Sequence, residues 1–162
     1  MESLAHGLVV IRRRNDAQRT FTIRREAGKN FERVQWEWLT AWQTAAMGGQ
    51  MPGLVLDSPL HKGSGAELKV THRLVGDVWE PEGFSLRTEK PLDFECQAQP
   101  WMAHLISLCN GVSTGRQSYE ILKANGSIPA DAPLEEFAEA VASLVSAGFV
   151  EVEGFRPTRE AG

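Results

Sequence analysis

The feature that most constrains the fold is a change in apolar spacing at Pro100. Before it, apolar and polar residues alternate along short segments, as they do in β-strands. After it, apolar residues recur every three or four positions, which is typical of amphipathic helices. Gly and Asn interrupt this helical pattern at residues 110–111, 125–126 and 148. The sequence therefore predicts three short helices in the last third of the chain.

Each predicted helix has a compact apolar face. The apolar positions are Trp101, Leu105, Ile106, Leu108 and Cys109 in the first helix, Tyr119, Ile121 and Leu122 in the second, and Leu134, Phe137, Ala138, Val141, Leu144 and Val145 in the third. Ser113 or Thr114 can cap the second helix. A strand at residues 92–96, three helices and a returning strand at residues 149–152 give winged-helix topology. We expect a winged-helix domain over residues 94–157.

Residues 1–93 read as a β-rich lobe with one helix. Segments 7–14 and 20–25 are predicted to form a β-hairpin, and residues 30–47 an amphipathic helix that packs Trp38 and Trp42 on one face. Residues 50–65 read as a loop with one short strand at 54–56. Segments 67–75, 77–80, 83–87 and 92–96 then follow at hairpin spacing. The expected fold class is α+β, a small antiparallel sheet and one helix before the winged helix, with a disordered tail at residues 158–162.

Composition excludes some classes of function. The net charge is −4, from 17 basic and 21 acidic residues, which does not suit a dedicated nucleic-acid binder. No apolar run approaches the roughly 20 residues that a membrane span needs. Cys96 and Cys109 form no Cys-x-x-Cys pair, and their spacing from the four histidines does not suit a metal site. We expect a soluble, cytoplasmic protein without a bound metal.

The run Leu105-Ile-Ser-Leu-Cys-Asn-Gly111, with residues 113–114, 119–122 and 144–150, resembles two families. The first is the C-terminal accessory winged helix of some class I S-adenosylmethionine-dependent methyltransferases, whose closing hairpin is similar to residues 7–14. The second is the PqqD-like peptide-binding winged helix. The first resemblance covers more of the chain. It implies an accessory module that contacts a protein or peptide partner, such as a separate catalytic methyltransferase chain.

The chain departs from the methyltransferase pattern where the cofactor would bind. Gly63-Ser-Gly65 follows a loop that contains prolines rather than a buried strand, and no predicted helix opens after it. No cofactor-binding residue can be assigned on this basis. His104 and Cys109 lie five positions apart on one predicted helix, so they point in different directions and predict no catalytic dyad. We expect a chain without catalytic residues or cofactor of its own.

Several residues are candidates for partner binding. Arg12, Arg14 and Arg24 lie on the two predicted N-terminal strands, in a segment where residues 1–33 carry 8 basic and 4 acidic side chains. These arginines form a predicted cationic patch, although arginines on exposed strands also serve simply to keep sheet edges solvated. Trp36, beside Arg33, is expected to face away from Trp38 and Trp42 and could belong to an interface.

The two alternative functions use other residues. In the PqqD-like hypothesis a peptide adds as a strand to the edge of the wing sheet, next to Phe94 and Phe149, with Leu92 and Val152 nearby. In the third hypothesis the winged helix regulates transcription by binding DNA. The third predicted helix argues against this, because its outward positions include Glu135, Glu136 and Glu139 and it carries no Lys or Arg.

Overall fold

The structure is a computed structural model that describes residues 33–89 and 93–155, apart from the side chains of Arg33 and Gln35. These residues form an α+β fold of five helices and two three-stranded antiparallel sheets. The elements in chain order are α1 (Arg33–Met47), α2 (Met51–Asp57), β1 (Pro59–Lys62), β2 (Glu67–Val75), β3 (Val78–Thr88), β4 (Phe94–Ala98), α3 (Pro100–Leu108), β5 (Asn110–Thr114), α4 (Gly115–Ala124), α5 (Leu134–Ala147) and β6 (Val150–Val152). The predicted fold class is confirmed at this level. The predicted hairpin at 7–25 and the predicted tail at 158–162 lie outside the described residues.

The first sheet is built around β1, with strand order β5-β1-β6. On one side Pro59 lies opposite Thr114, and on the other Leu60 lies opposite Val152, both in antiparallel register. The side chain of Leu60 is fully buried. A strand from the middle of the chain therefore joins two strands that come much later in the sequence.

The hydrophobic core lies between this sheet and the helices. Its side chains come from all five helices, from β1, β3 and β6, and from the connecting residues Cys109, Ile128 and Phe149. In α1, Trp38 and Trp42 are both buried, which confirms the face predicted for this helix. The indole Nε1 of Trp42 donates a hydrogen bond to Ser146 Oγ at 3.0 Å, and its ring meets Phe155 edge-on at 5.7 Å. These contacts fix α1 against α5.

The ends of the C-terminal helices follow from local chemistry. Thr114 caps α4: its hydroxyl accepts from the Gln117 amide at 3.3 Å, and the Gln117 side chain accepts from the Thr114 amide at 2.9 Å. Of the two predicted caps, Thr114 is the one that is used. At the other boundary, Gly148 has φ 89° and ends α5, because glycine adopts this left-handed conformation without steric cost. The predicted stop at Gly148 is confirmed.

Two strand and helix assignments are corrected. Residues 54–56 belong to α2 rather than to a loop with a short strand, because Pro52 suits a first helical turn and Val55 and Leu56 are buried. The segments predicted as strands 77–80 and 83–87 form one strand, β3. Its register shifts opposite Thr71 and His72, so a β-bulge accommodates Pro81 and Glu82 within the strand.

The strand pairing also differs from the predicted wing. Strand β6 pairs with β1, whereas β4, predicted as the first strand of the winged-helix domain, pairs with β3 in the other sheet. Strand β5 follows α3 and was not predicted, because it is short and polar. Contacts between β1 or α2 and the C-terminal elements cross the predicted boundary at residue 94. The boundary itself stays a prediction.

The close approach of α4 to α2 provides a test of this packing. A Cβ at Gly115 would lie 2.2 Å from the carbonyl oxygen of Val55, which is backbone and cannot rotate away. A Cβ at Gly53, inside α2, would meet nothing within 4 Å. We expect Gly115→Ala to lower the free energy of unfolding by about 2 kcal/mol or more. Gly53→Ala should raise it by up to about 1 kcal/mol.

Urea denaturation of the two variants, followed by circular dichroism, measures both changes. Equal midpoints for the two variants would contradict the packing of α4 on α2.

Candidate protein-binding site

Strands β2, β3 and β4 form a three-stranded sheet, called the arm below, that is anchored to the core at one end. At its base, Leu86 is only 1% exposed and Thr88 is buried. By contrast, all nine residues of β2 are exposed, as are the first residues of β3. The arm therefore projects from the core toward its β2–β3 turn.

One face of the arm is apolar. The antiparallel register places Leu68 opposite Leu86, Val70 opposite Phe84, and Leu74 opposite Trp79. Residues directly opposite each other in a sheet project to the same side, so these three pairs share one face. The β4 residues in register with Phe84 and Leu86 are also apolar or weakly polar, Ala98 and Cys96.

The other face of the arm is charged. Lys69 Nζ lies 3.7 Å from Glu95 Oε1, and Arg73 Nη1 lies 3.2 Å from Glu82 Oε1. Ser85 Oγ donates to Glu95 at 3.3 Å. These pairs are solvent-exposed and each contributes little to stability, of order 0.2–1 kcal/mol. Their effect is to mark this face as the one that stays in water.

The end of the arm is apolar on both faces. The hairpin turns at Gly76-Asp77, where Gly76 has φ +60°, and four large apolar residues flank this turn. Their exposed fractions are 52% for Leu74, 51% for Val75, 61% for Val78 and 65% for Trp79. We call these four residues the tip patch. A contiguous group of exposed apolar side chains that includes Trp is typical of an interaction site.

The tip patch was missed in the sequence, although its residues lay in predicted strands. Alternation identifies the apolar face of β2, but it does not tell whether another layer covers that face. The length of the hairpin was the one sequence feature that could have indicated an uncovered face. Two strands of 9 and 11 residues are longer than the short strands that the small core can cover.

The predicted binding residues have different surroundings. Phe94 is at the surface, whereas Phe149 is fully buried, and their ring centroids lie 6.1 Å apart. The structure thus brings these two predicted residues together, with Phe149 supporting Phe94 from the core. Val152 is fully buried as well. Trp36 is half-buried and packs against the core cluster.

The remaining predicted binding residues cannot be placed in a site. Arg12, Arg14, Arg24 and Leu92 lie outside the described residues, as does the side chain of Arg33.

Cys109 and His104 lie in different surroundings. Burial raises the pKa of the Cys109 thiol to about 12, and its Sγ donates to the carbonyl of Leu105 at 3.2 Å. His104 is exposed, with its Nδ1 2.8 Å from Ser127 Oγ. Because this pair is exposed, water competes for the hydrogen bond between His104 and Ser127. Cys109 is thus held neutral in the core, whereas His104 lies at the surface.

The concave surface of the helical part is small. A groove between α2 and α5, lined by Met51, Pro52, Ala138, Glu139, Ala142, Ser143 and Ser146, encloses about 190 Å³. Sites for small molecules are usually about 300–1,000 Å³. Across residues 33–89 and 93–155, no cluster of three or more His, Cys, Asp or Glu side chains could hold a metal ion. In the same residues, no helix is both long and apolar enough to cross a membrane.

The outer face of α5 carries negative charge. Glu135, Glu136 and Glu139 are all exposed, while Phe137 and Val141 face the core. Phosphate groups of nucleic acid would be repelled by this face.

No family model, no curated protein and no solved structure matches the chain.

The two cysteines should differ in reactivity. The thiolate is the reactive form of cysteine. The pKa of Cys96 is raised, mainly by burial and to a lesser extent by the nearby Glu95 carboxylate. The pKa of about 12 for Cys109 leaves almost no thiolate below pH 9. We expect iodoacetamide at pH 8 to modify Cys96 in the folded protein, and to modify Cys109 at least about 100-fold more slowly than in denaturant.

Peptide mapping by mass spectrometry over a time course measures both rates, with the denatured protein as the control. Rapid labelling of Cys109 in the folded protein would contradict its burial.

Proposed function

We propose that this chain is a non-catalytic accessory module that binds a protein partner through the tip patch of its arm. The observation that carries the proposal is the exposure of Leu74, Val75, Val78 and Trp79 at the end of a projecting sheet. Leaving four large apolar side chains in water forgoes about 25 cal/mol for each Å² that a partner would cover. Burial against a partner recovers that free energy.

The partner surface that fits the tip patch is an apolar pocket or groove. Trp79 is the natural anchor, because a large aromatic ring buries much area while restricting few torsions. The charged pairs behind it, such as Arg73 with Glu82, would lie at the rim of the interface. Rim charges mainly orient the partner and speed association.

We further propose that the helical part is a variant of the winged helix. Its support is the order α3-β5-α4-α5-β6, a helix, a strand, two helices and a strand. In this variant the central strand of the wing sheet is β1, which precedes the arm in the chain. The proposal agrees with the resemblance to the C-terminal region of class I methyltransferases, in which the module would serve a separate catalytic chain.

The Gly63-Ser-Gly65 turn has a structural role. The Gly63 amide donates to the carbonyl of Phe149 at 2.9 Å, and a Cβ at Gly63 would lie 1.9 Å from the carbonyl oxygen of Gly148. Glycine is therefore required here for the close approach of two backbone segments. The backbone packing thus explains Gly63 without a bound cofactor.

Peptide binding of the PqqD-like kind is the second candidate. The proximity of Phe94 to Phe149 favours it, because a peptide added near β6 would contact the exposed ring of Phe94. Strand β6 is only three residues long and fully buried, which limits the edge available to a peptide. We therefore rank it below the tip patch. The acidic face of α5 argues against DNA binding, the third hypothesis.

Partner binding can be tested with one substitution in the tip patch and a matched control. We expect Trp79→Ser to abolish co-purification of the partner from cells that make the protein. Ile121→Ser, which removes an exposed apolar side chain from α4, should leave it unchanged. Quantitative mass spectrometry of the bound fraction compares the two variants with the unmodified chain.

A partner that persists with Trp79→Ser but is lost with Phe94→Ala would overturn the tip patch in favour of the peptide-binding alternative. Thermal unfolding of each variant establishes that the fold is intact.

A separate titration tests the non-catalytic assignment. We expect isothermal titration with S-adenosylmethionine to give no saturable heat up to millimolar ligand, because the Gly63-Ser-Gly65 turn is held by backbone contacts. Saturable binding would show that the chain holds a cofactor site, and the accessory function would have to be abandoned.

A further inference from the structure

The outer edge of β2 offers a second surface on the arm. In the described residues β2 has a strand neighbour on one side only, since the order of its sheet is β2-β3-β4. About half of its backbone N–H and C=O groups point away from β3, where they can pair with another strand. At nine residues, with every residue exposed, this edge is long enough for stable pairing. It carries no proline and no bulge of its own.

The sequence of β2 is complementary to itself in one antiparallel register. When two copies of β2 are centred on Val70, each Glu67 lies opposite Arg73 of the other copy, and each Lys69 lies opposite Thr71. This register makes two opposite-charge pairs and no like-charge pair. Opposite charges that face each other across strands are stabilising, and like charges are destabilising.

Neighbouring registers are less favourable. A register centred on Lys69 places the two Lys69 side chains opposite each other, and a register centred on Thr71 places Lys69 opposite Arg73. Both registers create like-charge pairs. A centre on Leu68 avoids like charges but pairs only residues 67–69 within the strand. If one strand shifted by a single residue, the apolar face of one arm would lie on the same side of the joined sheet as the charged face of the other arm. A centre on His72 pairs as many residues but makes no opposite-charge pair, so charge favours the register centred on Val70.

The charges continue to alternate beyond β2. Within one copy, Arg73 is in register with Glu80 on β3. Within the other copy, Glu67 is in register with Arg87 on β3, which is in register with Glu95 on β4. Across the joined sheets, one row of residues then reads Glu80, Arg73, Glu67, Arg87 and Glu95, with the sign changing at every step.

We propose that two copies of this chain associate by antiparallel pairing of their β2 strands, centred on Val70. Two three-stranded sheets become one continuous sheet of six strands with a twofold axis at Val70. The two tip patches then lie at opposite ends of the β2 pair, about 35 Å apart at ~3.4 Å per residue. Because the interface is one strand wide, the dimer dissociates on dilution.

Disulfide trapping tests the register. In the pairing centred on Val70, the two Cα atoms at position 70 are about 4.5–5.5 Å apart, within the range that a disulfide spans. Those at position 74 are about 27 Å apart. We expect Val70→Cys to form a covalent dimer under mild oxidation, with the linkage between the two copies of position 70 identified by mass spectrometry. Leu74→Cys should give no such dimer.

Charge reversal tests the same pairing without cysteines. Arg73→Glu converts two opposite-charge pairs into like-charge pairs, so the association constant should fall by about tenfold or more. The double variant Glu67→Arg with Arg73→Glu restores opposite charges, and its association constant should return to within about threefold of the unmodified value. Sedimentation equilibrium over micromolar to millimolar concentrations measures all three proteins.

A monomer over the whole concentration range would overturn the proposal. Preferential trapping at Thr71→Cys or Leu74→Cys would overturn the register. Trp79→Ser should leave the association constant unchanged. Failure of the dimer is therefore distinguishable from failure of the proposed partner site.

Discussion

The fold depends on the pairing of β1 with strands on both sides. Two further hydrogen bonds hold this segment to the residues that flank β6, since the Pro59 carbonyl accepts from the Glu153 amide at 3.0 Å and the Gly63 amide donates to the Phe149 carbonyl at 2.9 Å. Bringing together strands so distant in sequence carries a cost in loop entropy. The burial of Leu60, Val150 and Val152, all fully enclosed, offsets that cost. Loss of β1 would leave β5 and β6 without a common neighbour.

The arm can project because of where it is inserted. The chain leaves the core just after β1 and returns to it at α3, so both ends of the arm lie at its base. A two-stranded hairpin alone is marginal in water. Here β4 adds a third strand, and the buried side chains of Leu86 and Thr88 anchor β3 to the core. Such an insertion can extend into solvent without disturbing the packing of α4 and α5.

The sequence predicted the parts of the fold that local chemistry determines. Helices α3, α4 and α5 follow from apolar spacing, and their limits follow from residues such as Thr114 and Gly148. Helix α2 was missed because seven residues are too few to show a period, and Pro52 and Gly53 suggested a loop. The partners of β1 and β4 were missed because strand pairing depends on contacts between distant segments.

The candidate site shows the same division between local and distant information. Imperfect alternation predicted a strand over residues 67–75, which contains Leu68, Val70 and Leu74. Whether a face of that strand is covered depends on the position of the arm relative to the core, which no local pattern encodes. Phe94 and Phe149 were selected on the basis of a predicted wing. They lie together even though Phe94 is in β4 and Phe149 directly precedes β6, which belongs to the other sheet.

The two surfaces of the arm use different directions of the same sheet, so they need not compete. Strand pairing uses backbone groups in the plane of the sheet, whereas the apolar face and the tip patch project perpendicular to it or beyond its end. A second copy bound at β2 therefore leaves Trp79 and Val78 open to a partner. It also presents two tip patches in one particle. A partner that carries two matching pockets would bind such a dimer more tightly than two separate copies, because its second contact is intramolecular. Pairing along β2 would thus strengthen partner binding without adding any contact to the tip patch.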